Sequence, residues 1–173
     1  MAAVVENIQT RKQVEAALQK SQQRYQMAVA AGQVGIWEWN IQTGEFVADA
    51  HLRAMLGYQP QDVTDHIDDW SALIYPDDRP IVADKIQQCL ANNCNTLEIE
   101  HRVLHRDGSI RWFLARGSTL GDRHQVSYRL TGTSTDITAR KQVELQIQTQ
   151  IQREQSLNHA IRSIRNSLDL DTI

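Results

Sequence analysis

Leu97-Glu98-Ile99-Glu100-His101-Arg102-Val103-Leu104-His105-Arg106-Asp107-Gly108-Ser109-Ile110-Arg111-Trp112-Phe113-Leu114 alternates apolar and polar residues, then turns back on itself. Leu97, Ile99, His101 and Val103 share one parity; Glu98, Glu100 and Arg102 share the other. A period of two is that of a strand with one buried face, and Asp-Gly between two such runs is a tight-turn signal. Residues 97–114 therefore predict an antiparallel hairpin. Downstream, after Gly121-Asp122, a third strand climbs through Val126, Tyr128 and Leu130 to Gly132. Upstream, Gly35-Ile36-Trp37-Glu38-Trp39-Asn40-Ile41 sets Trp37, Trp39 and Ile41 on one face, and Gln42-Thr43-Gly44-Glu45 turns it into Phe46-Val47-Ala48. From Asp49 to Asn93 the period becomes helical. His51–Leu56 is a short helix stopped by Gly57, Pro60, Pro76 and Pro80 punctuate the next pieces, and Ile81, Ile86 and Leu90 line a longer helix. Two strands, short helices, then three strands predict an α+β domain with a five-stranded antiparallel sheet and the helices on one face. Large apolar residues on both faces of some strands require a flanking helix or a partner on the other.

The rest of the chain frames this domain. All 8 Gly, all 3 Pro and nine of the ten aromatics lie between Gly32 and Gly132, whereas 12 of the 19 Gln fall outside that window. Flanks without Gly or Pro predict continuous helices. Residues 1–31 carry a net +2, residues 32–132 a net −5 and residues 133–173 none, an acidic centre that disfavours nucleic acid as a partner. The cluster Asp62, Asp65, Asp68, Asp69, Asp77 and Asp78 lacks the spacing of a calcium loop and reads as helix caps and solvated turns, so no metal is expected. No run approaches the roughly 20 apolar residues of a membrane span, and Met1-Ala2-Ala3 does not open a signal peptide. Cys89 and Cys94 match neither a zinc knuckle nor a redox pair and are expected reduced, in a cytoplasmic protein that makes no membrane contact through this segment.

A repeat marks both ends of the domain. Asn7-Ile8-Gln9-Thr10-Arg11-Lys12-Gln13-Val14-Glu15 recurs as Asp136-Ile137-Thr138-Ala139-Arg140-Lys141-Gln142-Val143-Glu144, six identities in nine positions at an offset of 129. Asn7 and Asp136 are both good N-caps, so each copy is expected to start a helix in the same way, as in a tandem array of such units. The second helix carries Val143, Ile147, Gln150, Glu154, Leu157, Ile161, Ile164 and Leu168 at alternating spacings of four and three, a heptad seam weakened by its two polar positions. A helix over residues 137–170 would run about 50 Å at about 1.5 Å per residue, longer than a domain of this size covers, which predicts a homodimer through the flanking helices.

Gly35-Ile36-Trp37-Glu38-Trp39-Asn40-Ile41-Gln42-Thr43-Gly44, Leu56-Gly57-Tyr58, Tyr75-Pro76-Asp77-Asp78-Arg79, Asp107–Trp112 and Gly132-Thr133-Ser134-Thr135-Asp136-Ile137-Thr138 resemble, in order, the signatures of PAS sensor domains with a Trp-rich first strand and a C-terminal PAC motif. The resemblance covers about residues 21–144. It implies the PAS fold, flanked by N- and C-terminal linker or coiled-coil helices. Residues 1–31 would then be the end of a preceding PAC-like unit and a linker helix, 32–138 the PAS/PAC domain and 139–173 a signalling helix. The tail from Leu157 also resembles the opening helix of a GAF domain. Relatives with this order of parts are usually sensor histidine kinases of two-component systems, less often diguanylate cyclases or phosphodiesterases. The partners implied are adjacent PAS, GAF and output domains of the same chain.

No phosphate-binding Gly-rich loop, nucleophile elbow or kinase motif occurs, so this segment is expected to be a non-catalytic sensor or relay. No cofactor is expected, although an unknown small ligand stays open. Light-oxygen-voltage relatives need a reactive Cys in an Asn-Cys-Arg-Phe-type motif, and Cys89 lies in Gln87-Gln88-Cys89-Leu90; haem-binding relatives supply a His from the long helix, and residues 79–93 contain none. His101 reads first as a hydrogen-bonded core histidine and second as a ligand; Trp37, Trp39 and Trp112 read first as packing and second, with His101, as a ligand pocket. Gly132, Asp136, Ile137, Thr138 and Arg140 are the candidate signal-coupling residues, because the last strand is expected to run straight into an Asp136-capped helix; Val143, Ile147, Leu157, Ile161, Ile164 and Leu168 are the candidate dimer seam. A dimerisation scaffold that senses nothing is the alternative.

Overall fold

A computed structural model describes residues 11–21, 23, 27, 32–92, 96–121 and 127–170. Residues 11–21 form helix α1. Strands β1 (Val34–Asn40) and β2 (Phe46–Ala48) are followed by helices α2 (Ala50–Met55) and α3 (Ile67–Ala72), a 3₁₀ turn (Pro76–Asp78) and helix α4 (Arg79–Ala91). Strands β3 (Leu97–Leu104), β4 (Ile110–Gly121) and β5 (Ser127–Asp136) lead to helix α5 (Thr138–Leu170). The expected sheet is present: five strands, antiparallel at every pairing, in the order β2-β1-β5-β4-β3. The chain falls into two units, the first ending at Asp136 and the second beginning at Ile137.

Local chemistry sets the boundaries. Asp49 caps α2 by accepting the Leu52 amide at 2.7 Å, and Gly57, with φ of 78°, follows the helix end where a side chain would be strained. His66 caps α3 through Nδ1, which accepts the Asp68 amide, and Pro76 opens the 3₁₀ turn with its preset φ.

Pairing assigns the two sheet faces, since cross-strand partners point the same way. Leu97, Ile99, His101 and Val103 share the core face with Phe113, Ala115, Leu130, Trp37 and Trp39. Leu52, Leu56, Val63, Trp70, Val82 and Cys89 join this cluster from the helices and their connections. Phe113 and Leu130 have almost no accessible surface, and truncation of either to Ala would cost about 3–5 kcal/mol.

Two expectations are revised. β5 runs four residues past Gly132, because the Thr133–Asp136 backbone continues to pair with β4 and β1; Val126, expected at its start, lies outside the described residues. The reduced state expected of Cys89 is also corrected: this buried residue near the end of α4 is disulfide-bonded. Cys94 lies outside the described residues.

Candidate functional site

The core face of the sheet centres on Trp37. Its register partners are Ala48 on β2 and Gly132 on β5, and Gly132 in turn faces Gly117 on β4. A Cβ at Gly132 would meet Trp37 Cζ2 at 2.5 Å, and one at Gly117 would meet Cη2 at 2.9 Å. The Cζ2–Cη2 edge of the indole therefore lies over two adjacent glycines, closer than a Cβ at either would permit. Its Nε1 donates to Ser134 Oγ at 3.1 Å, so the one polar atom of this buried ring is satisfied within β5. Phe46 stacks on Trp37 at 5.9 Å between centroids, and Trp70 meets Phe46 at 5.0 Å. The guanidinium of buried Arg53 sits 5.2 Å above Trp70, donates to the Val63 carbonyl at 3.1 Å and pairs with Asp65. An aromatic series thus extends from the sheet centre to α3 and ends under a buried cation that holds the 58–66 connection.

The other candidate pocket residues are separated. Trp39 shares the core face with Trp37, and its buried Nε1 has no hydrogen-bond partner among the described residues. His101 is also on the core face, as the alternation predicted, but it stands on β3, three strands from Trp37. Burial holds its pKa below the usual histidine value of 6.5, and its Nδ1 has no partner among the described residues. Trp112 is removed from the pocket altogether. It pairs with Arg102 on the opposite face of the sheet, and the Arg102 guanidinium lies 5.8 Å from its ring. Four aromatic or imidazole side chains that looked like one pocket are therefore in three places.

The acidic cluster does act in turns and ion pairs. Asp62 accepts from the Gln59 amide at 2.7 Å and from Arg106 at 2.6 Å; Asp69 accepts from the Thr64 amide and hydroxyl. Asp78 has a larger role that sequence reading missed. Buried beside β3, it accepts from the Arg102 amide, Nε and Nη2, and these bonds hold its carboxyl below the usual 3.8. Among the described residues, no group of three or more His, Cys, Asp or Glu is placed to hold a metal ion.

At the end of the sheet, Gly132 faces Trp37, whereas Asp136 pairs in register with Phe113 and lies 3.7 Å from Arg111. Helix α5 begins at Thr138, so Asp136 is the last strand residue and not, as expected, the residue that flanks the helix. The extended pairing of β5 draws it into the sheet. Ile137 takes the flanking position; it is buried, and its carbonyl accepts the Lys141 amide at 3.0 Å. Arg140 lies 3.6 Å from Glu144 one turn along. On α5 the seam residues Val143, Ile147, Leu157 and Ile161 are each at least half exposed. The side chains of Ile164 and Leu168 lie outside the described residues. No helix among the described residues is long and apolar enough to cross a membrane.

Residues 45–134 match the family model described as PAS fold. A blue-light-activated histidine kinase of Brucella anthropi is 26% identical over 144 residues, which is 83% of this chain. The chain spans 28% of the length of that curated relative. The structure of a sensory box histidine kinase/response regulator from Burkholderia thailandensis is 31% identical, with a TM-score of 0.67, over 77% of this chain and 98% of that one. An RNA-binding light-oxygen-voltage receptor is 25% identical, with a TM-score of 0.54, over 62% of this chain and 30% of that one.

Proposed function

The chain belongs to the PAS-fold family, and on that premise we propose that it is a non-catalytic sensory relay module of a larger signalling protein, with a histidine kinase as output. In this reading residues 32–138 are the sensing domain and residues 139–173 the helix that leaves it for a further domain, a GAF domain by resemblance. The observation that carries the proposal is the joint. The last paired residue of β5 is Asp136 and the first residue of α5 is Thr138, so a single residue, Ile137, separates sheet from helix. In this reading a shift of β5 along or about its axis passes to α5 through that one-residue connection, and Gly132, Asp136, Ile137, Thr138 and Arg140 are the residues that would carry it.

The output helix is proposed to act as half of a pair made with a second copy of the chain. Val143, Ile147, Leu157 and Ile161 recur at heptad spacing and are exposed, and polar Gln150 and Glu154 interrupt them where a change of register costs least. Kinship to proteins named as histidine kinases supports the choice of output.

The test is an insertion series of one to seven residues after Glu144 in the multidomain protein. Each added residue turns the helix by about 100°. Output that rises and falls with a seven-residue period is expected; output that is indifferent to phase would refute transmission through the helix.

A further inference from the structure

Blue-light activation, named for the Brucella relatives, requires a chromophore, and a flavin is the group named for a solved light-oxygen-voltage domain of the same fold. The residues present do not fit that group. The centre of the core face, where a flat ring would lie, is taken by the Trp37 indole, which spans Gly132 and Gly117 at a distance that leaves no layer between ring and sheet. Phe46 lies nearly parallel to the indole at 5.9 Å between centroids, and Trp70 lies against Phe46 at 5.0 Å. On β1, a Cβ at Gly35 would meet Leu52 Cβ at 2.5 Å, so α2 also rests directly on the sheet. Cys89 on α4 is disulfide-bonded and offers no thiol for a flavin adduct.

We infer that Trp37 is a built-in occupant of the interior: the domain carries its aromatic ring covalently on β1 and excludes a flavin. Three features indicate that the ring is seated as a ligand would be. It lies on glycines, whose missing side chains form its bed; it is hydrogen-bonded at its single polar atom, to Ser134; and Phe46 lies nearly parallel to it at 5.9 Å between centroids. Removing the ring leaves a void over Gly117 and Gly132, and an apolar void of that kind takes up a matching free aromatic molecule. This inference is independent of the relay reading.

The experiment uses the 173-residue chain and two probes, riboflavin 5′-phosphate (FMN) and indole. On the wild-type chain, FMN is expected to show no saturable binding by fluorescence quenching, and indole no effect on Tm. Trp37→Ala is expected to melt lower by roughly 10 °C or more and to regain part of that loss, saturably, on adding indole. If Trp37→Ala does not fold, Trp37→Leu serves for the same comparison. Stoichiometric FMN binding by the wild-type chain overturns the inference, as does a truncated variant whose Tm ignores indole.

Discussion

Asp78 receives three hydrogen bonds from Arg102: 2.8 Å from the backbone amide, 3.0 Å from Nε and 2.5 Å from Nη2. One carboxylate thus both closes the free edge of β3 and fixes the side chain of the residue it closes. Arg102 is held further by the Tyr75 ring, 4.3 Å from its guanidinium carbon, and its carbonyl accepts the Tyr75 amide. The 3₁₀ turn and the edge strand are therefore one unit. Because Arg102 is partly exposed, Asp78→Ala is expected to cost about 2–3 kcal/mol in urea unfolding, below the cost for a fully buried pair. Arg102→Lys should not be silent, since an ammonium cannot reproduce the forked contact.

Acid should act on the fold in two steps. His101 is buried with a pKa below 6.5, so the unfolded chain binds its proton more readily. Its contribution is fully present above pH 6.5 and is lost as pH falls below that value, with a slope of at most about 1.4 kcal/mol per pH unit. Asp78, depressed below 3.8, adds its loss only under more acidic conditions. His101→Gln is expected to flatten the first step and leave the second; an unchanged profile in thermal melts across this range would contradict the assignment.

Gly132→Ala should be among the most damaging single-methyl additions. Its Cβ would collide with the Arg116 carbonyl of the neighbouring strand and meet Trp37 Cζ2 at 2.5 Å, and backbone cannot swing aside as a side-chain tip can. A loss of about 3 kcal/mol or more is expected, read as a drop in Tm and in near-ultraviolet tryptophan circular dichroism.

Arg53 holds the 58–66 connection by donating to Val63 and pairing with Asp65 while it covers Trp70. Arg53→Met keeps the stem and removes the charge. Hydrogen exchange should speed up at residues 63–66 before the strands are affected, because the local tie is lost while the sheet core is intact. Uniform protection across that segment would show that the tie is dispensable.

The seam prediction is read from self-association. Sedimentation of the wild-type chain is expected to show a dimer, and Ile147→Asp or Leu157→Asp to weaken it at least tenfold, about 1.4 kcal/mol or more. Gln152→Ala, on the exposed outer face away from the seam, should change little.

Particular residues show how far the sequence could be read. The 97–114 hairpin was legible because alternation is a local property, and burial of Leu97, Ile99, His101 and Val103 follows it residue by residue. The same alternation placed Trp37 with Trp39 but could not relate either to Trp112, since that depends on which residues face each other across strands distant in sequence. Arg102 opposite Trp112 puts that ring on the outer face. Asp78 and Arg102 lie 24 residues apart, with no pattern to join them. Asp136 has the chemistry of a cap, but four more pairs of sheet register past Gly132 claimed it for β5.

The order and kind of elements, the antiparallel sheet, the family resemblance and the apolar repeat of α5 were determined by the sequence alone, because each is set by spacing within a few residues. Tertiary structure alone decided that the Trp37 indole rests on Gly117 and Gly132, that Asp78 closes the edge of β3, and that His101 stands apart from the tryptophans. The physical reason is the pairing of strands remote in the chain: register fixes which missing side chain lies beneath which ring, and a period of two says only that some ring must be there.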